Sequence, residues 1–187
     1  MTLRMAPPLS LLLLFGPLLV LVVIPLCVWV HELGHAATVI GLTGGRPVVV
    51  VGRLPAACVI SLRRLEIRWH PALKAAFCRW DTRGVTVGSA RRIVMAGPLA
   101  NGVQSAVFLW LTIATWAAVP FWLWVEFLTT FAISGLFGVV NLRSRPLNLL
   151  GTLTSTDGHK LRALRGLPAD AVLTDELRAA LSGAPAP

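Results

Sequence analysis

Three long stretches of this chain are almost free of charge, roughly residues 9–41, 93–118 and 121–141, and each is near or above the ~20 apolar residues a helix needs to cross a bilayer. The pattern predicts three spanning helices. As one straight helix, Leu9 to Ile40 would measure about 48 Å, more than the ~30 Å hydrocarbon layer. Gly16-Pro17 or Pro25 is therefore expected to break, kink or start the spanning part. The apolar run from Leu9 to Val30 exceeds the roughly 7–15 residues of a secretory signal core, so this helix is expected to stay uncleaved. Gly41 to Gly45, followed by Pro47, should end it.

Between the first two runs the period changes. Val48 to Val51 is a β-branched run, Leu65 to Trp69 alternates apolar with polar, and Gly84-Val-Thr-Val-Gly88 reads as a short strand between glycines. Residues 43–92 are expected to form a small β-rich element at the membrane surface, its arginines toward lipid headgroups; an irregular basic loop is the plainer alternative. The second run carries Gly97-Pro98, which permits close approach of a neighbouring backbone and frees a carbonyl, and Asn101, whose amide hydrocarbon alone would not tolerate. Something polar must face Asn101. Trp116, Trp122 and Trp124 flank the turn at Pro120 as an interfacial aromatic belt, with Glu126 near the same end. The third run closes at Asn141. The expected organisation is one membrane-embedded core over 1–158 and a tail over 159–187, with a short helix at Asp175 to Leu181 and a disordered end.

Composition supports a membrane protein. Hydrophobic residues make up 56% of the 187 and charged residues 13%, with a mean hydropathy of +0.75, outside the usual range of a soluble domain. The net charge of +9 could suggest nucleic acid, but its distribution explains it otherwise. Only Arg4 precedes the first run. Ten basic residues lie between the first and second runs, six follow Leu142, and none falls in the turn near Pro120. By the positive-inside rule the middle segment and C-terminus are expected in the cytoplasm and the N-terminus outside. Cys27, Cys58 and Cys78 show no paired spacing and are expected as free thiols.

The chemistry sits at His31-Glu32-Leu33-Gly34-His35. Two histidines four residues apart lie on one helical face a turn apart, where both imidazoles can hold one Zn²⁺, and Glu32 beside them can serve as base for a water the ion activates. Ionisable groups at membrane depth cost several kcal/mol and mark a functional site by default. The bland alternative is a polar face bonded to neighbouring helices without metal. His70 reads as a turn residue. His159 reads as an interfacial histidine that could instead assist a metal.

With these residues the chain resembles the site-2 proteases, zinc metalloproteases that cut substrates within the membrane. The resemblance rests on His31-Glu-Leu-Gly-His35 in one span, Gly97-Pro98-Leu-Ala-Asn101 in the next, and an asparagine plus Asp-Gly around the third, here Asn141 and Asp157-Gly158. It implies a three-helix catalytic core, His31, His35 and Asp157 as zinc ligands, Glu32 as general base, and Asn101 and Asn141 as groups contacting substrate or transition state. It also implies that the β-rich segment accepts substrate as an added strand. The family commonly has Asn-x-x-Pro shortly before Asp-Gly. Here Asn141 stands sixteen positions before Asp157, and Asn148-Leu-Leu-Gly151 is a competing match.

Two histidines and one carboxylate would leave the fourth tetrahedral position of zinc open to water. A transmembrane substrate hides its carbonyls in its own hydrogen bonds and must unwind first, which strand addition would secure. The expected partner is a single-pass or tail-anchored membrane protein in the lipid bilayer. Two other classes stay open: a non-cleaving scaffold or adaptor that binds partner helices, whose mark would be a lost Glu32 or ligand, and a small metal carrier.

Overall fold

A computed structural model describes residues 19–72, 76–143, 147–149, 152–154 and 156–182. Expectations that fall on residues 1–18, among them a break at Gly16-Pro17, and on the last five residues lie outside the described part. Among the described residues, three helices are long and apolar enough to cross a membrane. Helix α1 (Ile24–Thr43) follows directly on a π-helical turn over Leu19–Val23, carries Pro25, which lacks a backbone N–H, at that junction, and ends on Gly44 in the left-handed region. Helix α2 spans Val87–Ala114, and α3 spans Phe121–Asn141.

The second helix begins six positions before the apolar run. Thr86, with its side chain accepting from the Ser89 amide, caps it, and the turns so added hold Arg91 and Arg92. Of the expected strand at Gly84 to Gly88 only Thr86 pairs, in one bridge to Val172. Thr86 is extended, but the chain turns helical at Val87, so the pairing stops there. At its other end α2 is fastened to α3: the Trp124 indole donates to the Thr112 carbonyl at 2.9 Å, and Trp116 meets Trp124 edge-on at 4.7 Å.

Between α1 and α2 lie β1 (Val48–Val51), β2 (Cys58–Ser61), β3 (Glu66–Trp69) and β4 (Ala76–Arg79), in the sheet order β2-β3-β1-β4. β1 runs parallel to β3 and antiparallel to β4. Its valines are the most buried of the sheet because β1 is central and packs on α1: Val49 and Val51 join Ala36, with Val28, Trp29, Ala76 and Cys78 around them. The sheet therefore lies along the flank of α1, beside the turns that carry His31 and His35. β2 is the exposed outer strand.

After α3 come a short hairpin, β5 (Leu147–Leu149) with β6 (Thr152–Thr154), then α4 (Asp157–Ala163) and α5 (Asp175–Ser182). Asn148 is in β5. The segment expected as a tail is packed: Leu164, Leu173 and Leu181 share a core with Val85, Val87, Ala90 and Val94 at the start of α2. The Arg91 guanidinium secures it by donating to the carbonyls of Leu164 and Leu167 at 2.6 and 2.9 Å.

Candidate metal centre

The buried face of α1 presents Cys27, His31, Glu32, His35, Ala36 and Val39. Helical periodicity puts His31 and His35 one above the other, and α4 brings Asp157 to both. The Asp157 Oδ2 lies 2.9 Å from His31 Nε2 and 3.3 Å from His35 Nε2, while the two Nε2 atoms are 3.2 Å apart. Zinc–ligand lengths of ~2.0–2.2 Å in a tetrahedron set ligand edges of roughly 3.3–3.5 Å. The three edges here are that size or slightly shorter, so little outward movement of the side chains admits the ion.

Hydrogen bonding points the same way. His35 Nδ1 lies 2.7 Å from the Ile93 carbonyl; a carbonyl only accepts, so the proton sits on Nδ1 and a lone pair on Nε2 faces the cluster. Asp157 Oδ2 is buried and has no hydrogen-bond partner among the described residues, despite the two imidazole nitrogens beside it. The Lys160 ammonium, 3.7 Å from Asp157 Oδ1, favours the carboxylate against the cost of its burial. An anionic oxygen and an imidazole lone pair directed at one point suit a divalent cation, and nitrogen–oxygen ligation suits zinc.

Local structure explains how the donors meet. Gly97 on α2 borders the ligating nitrogens: a Cβ there would stand 2.7 Å from His31 Nε2 and closer still to His35 Nε2. Pro98 follows, without the N–H that would close the helix onto Val94, and the carbonyl that orients His35 belongs to the neighbouring Ile93. Thr156 caps α4 by accepting from the His159 amide, and its hydroxyl donates to the Arg143 carbonyl at 2.5 Å, tying Asp157 to the end of α3. Gly158 passes so close to the Leu142 and Arg143 carbonyls that a side chain would collide with them.

Among the expected site residues, His31, His35 and Asp157 come together, and Glu32 is buried beside them on α1. Asn101 is wholly buried and sets its amide 3.3 Å from His31 Nδ1, which is the polar partner its place in an apolar helix demands. Asn141 donates back to the Phe137 carbonyl of its own helix at 3.0 Å. His159 is exposed, and His70 accepts from the Ala72 amide as a turn residue. Sequence reasoning missed the Ile93 carbonyl, which no residue type announces, and Lys160, which its i,i+3 spacing from Asp157 could have offered. Cys78 on β4 packs with Ala36, next to His35 on α1, and burial, with the Glu32 and Asp157 charges adding to it, pushes its thiol up to about 12. The three cysteines are free.

No family model matches this chain, and no curated protein matches it either.

Proposed function

We propose that this chain is an intramembrane zinc endopeptidase of the site-2 protease type, cutting a membrane-protein substrate in or near its transmembrane segment. The observation that carries the reading is the convergence of His31 Nε2, His35 Nε2 and Asp157 Oδ2 within 3.3 Å of one another, drawn from a helix fit to cross the bilayer and from a distant second element. Zinc held there would supply Lewis acidity toward a scissile carbonyl and make water more acidic.

The protein's own groups do the rest. Glu32, next to His31 on the buried face, takes the proton of the attacking water and passes it to the leaving amine. His35 is kept in its ligating tautomer by the Ile93 carbonyl. Lys160 steadies the Asp157 carboxylate through its other oxygen. Substrate is held extended by pairing with the outer edge of β4, which ends the sheet order and bears Cys78 within reach of the Glu32 and Asp157 charges. The basic middle segment and C-terminal part face the cytoplasm and the N-terminus lies outside, as the arginine distribution favours.

The test is cleavage of single-pass membrane proteins in proteoliposomes containing zinc. The account expects Glu32→Gln to cut roughly 10²–10⁴-fold more slowly than the unaltered chain, the range of a lost general base. Full-rate cleavage by that variant would overturn the mechanism.

A further inference from the structure

We infer that Asn101 is a positioning residue, acting through His31: its side-chain oxygen accepts the His31 Nδ1 proton and thereby leaves Nε2 free to ligate. This rests on the metalloprotease reading above.

An amide presents oxygen and nitrogen in nearly the same outline, so the surrounding hydrogen bonds decide which faces a given partner. With Nδ2 toward His31, Asn101 would donate to Nδ1, the ring proton would be forced onto Nε2, and Nε2 could not bind a cation. Turning the amide resolves the ring: Oδ1 accepts from Nδ1–H across the same 3.3 Å. His31 then matches His35, whose Nδ1 is already committed to the Ile93 carbonyl.

The arrangement is backed from α3. Ser134 Oγ lies 2.9 Å from both the main-chain carbonyl oxygen of Asn101 and Gln104 Oε1, while Gln104 Nε2 is buried without a partner among the described residues. One hydroxyl has one proton. If Ser134 donates to the Asn101 main-chain carbonyl, the Gln104 amide turns so that Nε2 donates to Ser134 Oγ. Ser134 on α3 thus anchors the α2 backbone at Asn101, and from that anchored position the Asn101 side chain reaches His31 on α1. Such outer partners are worth roughly 10–100-fold in metal affinity.

The experiment measures zinc affinity of the full chain in detergent by chelator competition, with ¹⁵N-histidine NMR of the zinc-loaded protein as the second readout. Asn101→Leu, similar in size but with no acceptor, is expected to bind zinc about 10–100-fold more weakly and to lose protection of the His31 Nδ1 proton. Asn101→Asp retains an acceptor oxygen and is expected to restore binding to within a few-fold. Affinity unchanged in Asn101→Leu, or equally weakened in both variants, would overturn the positioning role, as would a His31 ring protonated at Nε2 when zinc is bound. A wild-type chain that binds no zinc would instead overturn the metal reading on which this inference rests.

Discussion

A missing methyl group decides whether the two imidazoles can share one point. Gly97→Ala would drive a Cβ into both rings; overpacking of this kind costs about 1–3 kcal/mol. The expected outcome is a lower melting temperature and weaker zinc binding. Gly102→Ala, one turn further along the same helix where a Cβ meets open space, should leave both within error. Thiol chemistry provides a second test at this scale. Cys27 is buried, Cys78 is held protonated by a thiol pushed up to about 12, and Cys58 is exposed on β2. Since the thiolate is the reactive form, a maleimide at neutral pH should add once per folded chain, and Cys58→Ser should abolish the addition. A second adduct by intact mass would contradict the placement of β4 against α1.

Elements differ in how far the sequence announces them, and the reason is length and environment. The spanning helices are long apolar runs, and their existence follows from composition alone; α2 was harder to bound because its first turns, with Arg91 and Arg92, are polar and start at a threonine cap. β1 and β3 were legible as a β-branched run and an alternating one. β2, of the same length, is exposed at every position, so no alternation marks it; β4 (Ala-Phe-Cys-Arg) is neither a β-branched nor an alternating run, and β5 and β6 have only three residues each. In the site, the helical spacing of His31 and His35 is written in the chain, whereas Asp157 joins them only through the tertiary fold and could be named beforehand only by resemblance. The sheet makes its own prediction: Val49→Ala, in the core against α1, should cost about 2 kcal/mol. Val59→Ala on exposed β2 should fall within about 0.5 kcal/mol, both read from thermal unfolding in one detergent.

At the scale of the whole molecule, helices long and apolar enough to cross a membrane enclose a buried polar cluster, with the sheet packed on α1 and the α4–α5 segment on the start of α2. If the middle segment is cytoplasmic, a membrane-impermeant maleimide should modify Cys58 in inverted vesicles and leave it unmodified in right-side-out vesicles or intact cells; the reverse pattern would overturn the orientation. The central claim is that His31, His35 and Asp157 hold one catalytic ion. Its most direct test is the zinc bound per chain after equilibration with a limiting free-zinc buffer, measured for the purified protein and for Asp157→Asn, which keeps the side chain's shape while removing its charge. The account predicts about one zinc per chain for the former and little for the latter. No zinc in the unaltered protein, or an equal amount in both, would contradict it.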